Sequence, residues 1–273
     1  MKFKMIVTDL DDTLLNSEGK ISKRDKEAIM KAQEKGVKFI LASGRPTFAM
    51  KHLADELELH RYGSYILSYN GAIITRWDDK SEILNESLTK DDLHKLYDFS
   101  HKHKVHIITY LDDEIISESE SKYIDVEREL TGMTHRVVPS FKNTVDCKGV
   151  KCIMLEDPEY LKEVEKKLKE ELGYDYTIAI SKPFFLEVTK KDMDKGNSLK
   201  KLIQNLGIDA EEVIAVGDSY NDISMLKIAG KSVAVKNAKP EIIEMVDYIT
   251  NSNNNHGIAE VIEKFILNGD GNE

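Results

Sequence analysis

Apolar and polar positions in the first third of the chain switch between two periods. Met5–Asp9 (MIVTD) is short, apolar and β-branched, and reads as a buried strand. Ser22–Lys35 sets Ala28, Ile29 and Ala32 at helical spacing and runs into Gly36, a stop signal. Val37–Ser43 is a second strand, Thr47–Leu59 a helix with Phe48, Leu53 and Leu57 on one side, and Tyr65–Tyr69 a third strand. This β-α-β-α-β rhythm predicts a parallel sheet with helices on both faces.

The pattern changes near Ile74. From residue 83 to 189, charged helices (Asp92–His103, Tyr160–Leu172) mix with alternating, half-buried strands (Ile107–Tyr110, Lys151–Leu155, Tyr176–Ile180, Phe184–Val188). The first rhythm then returns. Asn197–Leu206 is a helix stopped by Gly207, Val213–Val216 a strand, Asp222–Ala229 a helix and Ser232–Val235 a strand. Pro240–Met245, Tyr248–Ile249 and Gly257–Leu267 follow as helix, strand and helix, and the tail Asn268–Glu273 is expected to fray. The expected fold is α/β: one Rossmann-like, doubly wound domain built from residues 1–82 and 190–273, with an α+β domain, 83–189, inserted.

Composition narrows the function. A chain of 273 residues, 41% apolar and 32% charged, suits two soluble domains. Its net charge of −10 argues against a nucleic-acid partner, and an anionic ligand would need locally supplied positive charge. No apolar run approaches the ~18 residues of a membrane span, and Met1–Val7 enters a strand pattern without a signal core. Cys147 and Cys152 are too few and too irregular for a disulfide framework or a zinc site; they read as buried small hydrophobes in a reducing cytoplasm.

Four segments carry candidate chemistry, grouped at the strand ends where open α/β sheets bind ligands. Asp9-Leu10-Asp11-Asp12-Thr13 crowds three carboxylates after the first strand. Strand alternation would point Asp9 and Asp11 to one side and Leu10 away. A divalent cation relieves their repulsion, and a hard, oxygen-only site suits magnesium. A carboxylate beside a metal stays ionised and can act as a nucleophile, while a second one nearby can protonate a leaving oxygen and then activate water. Ser43-Gly44-Arg45 lies between strand and helix, where a hydroxyl and backbone N–H groups hold phosphate oxygens. Lys195, at a helix start, supplies a cation. Gly217-Asp218-Ser219-Tyr220-Asn221-Asp222 delivers Asp218 as a metal ligand, with Asp222 ligating through water or orienting a ligand.

Carboxylate pair, hydroxyl, lysine, carboxylate pair: this ordered set resembles the haloacid dehalogenase superfamily, most closely its Cof-type phosphatases, over nearly the whole chain. The resemblance implies that Asp9 is the nucleophile and Asp11 the general acid/base. It implies phosphate contacts from Ser43, Gly44, Lys195, Asn221 and the Leu10 backbone, and magnesium held by Asp9, the Asp11 carbonyl and Asp218. Asp12 departs from the pattern, since many members carry glycine there. The 34 positions from Asp9 to Ser43 admit one helix and one strand, and the 152 from Ser43 to Lys195 admit the inserted domain. This placement resembles a type-2 α/β cap of sugar-phosphate phosphatases. The implied activity is magnesium-dependent hydrolysis of small phosphorylated metabolites, in particular sugar phosphates. The alternatives are a phosphotransferase or mutase, which cap placement disfavours, and a non-catalytic phospholigand sensor, which needs no nucleophile.

Other features carry less. Gly230-Lys231-Ser232 lacks the leading glycine of a P-loop, since position 225 is Met225. His101, His103 and His106 read as a solvated polar face, and Glu163–Glu171 as an exposed helix flank.

Overall fold

The computed structural model describes residues 2–111 and 114–268, so residues 269–273 of the tail lie outside it. The chain forms two compact units, one from 1–85 with 194–273 and one from 86–193. These boundaries compare with 82/83 and 189/190 in the sequence pattern.

The discontinuous unit is built on an eight-stranded sheet. Its strands are β1 (Met5–Thr8), β2 (Lys38–Ala42), β3 (Tyr65–Ser68), β4 (Ile73–Arg76) and β5 (Glu82–Asn85), then, after the insertion, β12 (Val213–Gly217), β13 (Lys231–Val235) and β14 (Tyr248–Thr250). The inserted unit supplies β6 (His106–Leu111), β7 (Glu114–Ser117), β8 (Thr134–Val137), β9 (Lys151–Leu155), β10 (Tyr176–Lys182) and β11 (Phe185–Lys190).

The order β14-β13-β12-β1-β2-β3-β4-β5 places the first strand in the middle. Pairing is parallel from β14 to β3 and antiparallel across β4 and β5. β1 and β12 are buried along their whole length, which explains their near-continuous apolar sequences. From β1 the chain winds outward through β2 and β3. On its return it winds the other way from β12 through β13 to β14. The reversal opens a crevice at the carboxyl ends of β1 and β12, the switch point of a doubly wound sheet.

Helices close the two faces. Lys23–Glu34 packs with Gly257–Ile262, and Lys195–Leu206 with Ile223–Ile228. The first helix is capped by Ser22, which accepts from the Asp25 N–H. Buried Asp25 ties it to the last helix by accepting from the Ala259 N–H at 2.7 Å.

The inserted unit has its own sheet, in the order β10-β11-β9-β6-β7-β8, and its own core. Helices Lys90–Lys102 and Pro158–Leu172 bring Leu93, Leu96, Leu161 and Val164 onto Ile107, Met154, Leu186 and Val188. On the opposite side chains of the same strands, helix Lys122–Thr131 sets Ile124 beside Ile108, Ile115, Ile153 and Phe185. Neither cysteine forms a disulfide; Cys152 is buried as expected, but Cys147 is exposed. The three histidines have different partners: His106 meets Ser119, His101 stacks on Tyr97 and His103 leans on Phe99. No helix among the described residues is long and apolar enough to cross a membrane.

Candidate active site

The crevice between β1 and β12 is a cleft of about 410 Å³ lined from three loops of the discontinuous unit: Asp9, Asp11 and Asp12; Ser43 to Arg45; and Asp218, Ser219 and Asn221. Asp9 follows β1 directly. Its N–H donates to the Val216 carbonyl at 3.0 Å, so the ladder itself carries Asp9 to the sheet edge beside β12.

Asp9 and Asp11 both line the cleft and Leu10 is buried, as expected, but a turn and not strand alternation places them. β1 ends at Thr8, and Leu10–Leu14 forms a wide turn, closed by the Leu15 N–H on the Leu10 carbonyl, in which Asp11 and Asp12 are non-helical and Asp12 takes φ +60°. Leu10 and Leu14 turn into the core. Asp9 meets Lys195, whereas Asp11 swings to Arg45, which donates from Nε at 3.0 Å and from Nη2 at 2.5 Å. Left-handed backbone at position 12 is a conformation that glycine adopts most freely. Aspartate is among the side-chain residues that tolerate this region, and the Asn237 amide secures the turn by donating to the Asp12 carbonyl at 2.7 Å.

Lys195 opens helix Lys195–Leu206, whose cap is Asp194. Its ammonium is wholly buried; it donates to Asp9 Oδ1 and, at 2.7 Å, to Asp222 Oδ1. Burial works to lower the lysine, but Asp9 and Asp222 outweigh it and the net direction is up. Lys195 is buried against Asp9 and Asp222, and the cation among the cleft-lining residues is Arg45. Gly196 allows this approach: a Cβ there would stand 2.5 Å from the Ser224 backbone, and its N–H donates to Ser224 Oγ at 3.0 Å.

Asp222 accepts hydrogen bonds on both oxygens. Beyond Lys195, its Oδ2 accepts from the N–H groups of Asp218 and Ser219 at 3.0 and 3.1 Å. It thereby shapes the loop that presents Asp218, and Gly217 makes room, since a Cβ there would come within 2.6 Å of the Asp222 side chain. Asp218 accepts from Thr13 Oγ1 at 2.9 Å, which links the two acidic segments.

Carboxylate oxygens of Asp9, Asp218 and Asp222 lie within 4.8 Å of one another. Burial pushes the Asp9 carboxyl up to about 7, with Lys195 opposing and Asp222 and Asp218 adding repulsion. Burial likewise raises Asp218 to about 6, against the Thr13 bond and with Asp222 and Asp12 repelling. One ammonium does not balance this much negative charge, and a divalent cation fits the donor set. Asp9, Asp218 and Asp222 can each offer it an oxygen, although both oxygens of Asp222 also accept hydrogen bonds within the protein.

Ser43 is buried, and its Oγ accepts from the Arg45 N–H at 3.1 Å in a turn that presents Gly44 to the cleft. Asn221 reaches the same cleft from the opposite loop. Sequence reasoning assigned no role to Arg45, Thr13 or Asn70. Arg45 stood inside a segment already singled out, but its partner Asp11 lies 34 positions away and no local pattern connects them.

Residues 6–262 match the model of the haloacid dehalogenase-like hydrolases. A crystal structure of a haloacid dehalogenase-like hydrolase from Bacteroides thetaiotaomicron is 39% identical, with a TM-score of 0.87 over 97% of this chain and 100% of that one. The Thermotoga maritima structure TM0651 is 28% identical, with a TM-score of 0.86 over 96% and 97%. The 5-amino-6-(5-phospho-D-ribitylamino)uracil phosphatase YcsE of Bacillus subtilis is 30% identical over 97% of this chain and 96% of its own. With a doubly wound sheet, an insertion between the second and third motifs and an acidic cluster at the switch point, the chain belongs to the haloacid dehalogenase-like hydrolases, among their Cof-type phosphatases.

Proposed function

We propose that the protein hydrolyses small phosphorylated metabolites, sugar phosphates among them, through an aspartyl-phosphate on Asp9, with magnesium as cofactor. The observation that carries this reading is the buried Asp9 carboxylate, bonded through Oδ1 to Lys195 and lining the cleft beside Ser43, Gly44 and Asp218. A relative whose name specifies a phosphorylated ribityl compound is consistent with a polyol phosphate substrate class.

Asp9 attacks phosphorus in line, forming an acyl phosphate, while the leaving alcohol takes its proton from Asp11. Asp11 then takes a proton from water as that water attacks phosphorus and frees Asp9. In the substrate-free arrangement each oxygen of Asp11 accepts one bond from Arg45, which orients the carboxyl and leaves a lone pair on each oxygen for the proton. Ser43, the Gly44 N–H and Asn221 grip the phosphoryl oxygens. Lys195 keeps Asp9 aimed and has a third N–H to give. Magnesium, held by Asp9, Asp218 and the Asp11 carbonyl, would supply positive charge to the transferring phosphoryl group.

The test is release of inorganic phosphate from p-nitrophenyl phosphate with magnesium. Turnover should be blocked by chelator and fall by at least about a thousandfold in Asp9→Asn. Wild-type rates in that variant would end the assignment. Transfer of phosphate to a second sugar, with none released, would favour a transferase.

A further inference from the structure

The turn after β3 is the most strained backbone near the site. Tyr69, Asn70 and Gly71 take φ +52°, +56° and +95°, and two of the three carry side chains. Such conformations persist only where the surroundings hold them, and they gather at functional sites. Here the surroundings are the site itself. The Tyr69 N–H donates to the Arg45 carbonyl and the Asn70 N–H to the Ser43 carbonyl, each at 2.9 Å. Ser198 Oγ, on the helix that Lys195 opens, donates to the Gly71 carbonyl at 2.6 Å, and a Cβ on Gly71 would strike that hydroxyl. The turn is wedged between the serine loop and the lysine helix.

Asparagine is a favoured side-chain residue for left-handed backbone, so its presence could reflect the turn alone. Its side chain does more. Oδ1 accepts from Asn221 Nδ2 at 3.3 Å, and the amide lies over Gly44, close enough that a Cβ there would be 3.3 Å from both Oδ1 and Nδ2. Neither contact serves the turn. Both engage residues that the phosphatase reading assigns to phosphate binding.

We propose that Asn70 is a positioning residue for the phosphoryl group: it fixes the Asn221 carboxamide so that the second N–H of Nδ2 points at phosphate, and its amide packs over Gly44. This inference rests on the phosphatase reading above. Glycine adopts φ +56° without strain, so Asn70→Gly removes the side chain and spares the turn. Alanine removes the same atoms and adds strain.

The experiment measures p-nitrophenyl phosphate turnover and competitive inhibition by inorganic phosphate in the wild type, Asn70→Gly, Asn70→Ala, Asn221→Ala and the Asn70→Gly/Asn221→Ala pair. Asn70→Gly should keep the wild-type melting temperature and kcat within about twofold, while KM and the phosphate inhibition constant each rise about fivefold, the loss of one hydrogen bond. Asn70→Ala should show the same kinetic change with a melting temperature lower by a few degrees. In the Asn221→Ala background, Asn70→Gly should add less than about twofold. Wild-type constants in Asn70→Gly, or an undiminished effect without Asn221, overturn the inference alone. A wild type with no chelator-sensitive phosphate release overturns the phosphatase reading as well.

Discussion

Lys195 and Arg45 divide the cationic work of the cleft by depth. The buried ammonium faces two carboxylates, so replacing it with a neutral side chain of similar length leaves both acids uncompensated. Lys195→Met is expected to lower the unfolding free energy by about 3 kcal/mol, read from urea denaturation, and to abolish turnover. Arg45 is partly exposed, and its pair with Asp11 contributes little to stability. Its effect falls on orientation: Arg45→Ala should leave the urea midpoint nearly unchanged and lower kcat about tenfold, with Asp11→Asn in the same background adding less than it does alone. At this scale the acidic segments, the serine turn and the lysine were legible, because each residue type declares its chemistry. What each side chain touches was not. Alternation was applied to Asp9–Asp11 where the chain had already left the strand, and Asn70 meets Asn221 across 151 positions that no local period spans.

At the level of elements, glycines set how closely the pieces approach. Helix Lys195–Leu206 can lie against Ile223–Ile228 because Gly196 has no side chain. Gly196→Ala should therefore cost about 1–3 kcal/mol and reduce turnover, since the helix that carries Lys195 must back away; thermal unfolding alongside the phosphate assay reads both. The central parallel strands were readable because burial on two faces makes them apolar throughout. The four-residue strands β4, β5, β7 and β8 were not. β8 (THRV) is largely exposed at the rim of its sheet, and β7 has only four residues. Helix Lys122–Thr131 escaped notice for a different reason: a glutamate, Glu127, occupies a buried position on its inner side and breaks the apolar period.

Over the whole molecule, the two units have separate cores, and the inserted one is a single continuous stretch. Residues 86–193 expressed alone should fold and unfold cooperatively, as circular dichroism during a denaturant titration would show; a featureless, non-cooperative profile would contradict this. Glu127 gives that unit an unusual response to pH. Burial raises its carboxyl above the usual 4.5, against the Tyr110 hydroxyl bond and the charge of Lys151. A carboxyl raised on folding contributes stability that is fully present below its unfolded pKa and lost as pH rises through the folded one. Glu127→Gln should thus be more stable than the wild type at pH 7.5, with the gap closing by pH 4, as measured by urea unfolding at each pH.

The central place of β1 has a consequence for synthesis. β1 is flanked by β2, made soon afterwards, and by β12, which ends at Gly217. At about 5–20 residues per second, one edge of β1 waits on the order of 10–40 seconds for its neighbour. In that interval the nascent chain can finish the six-stranded insertion while the half bearing Asp9 still lacks Lys195 and Asp218. Asp9 therefore precedes Asp218, with which it lines the cleft, by 209 positions of synthesis.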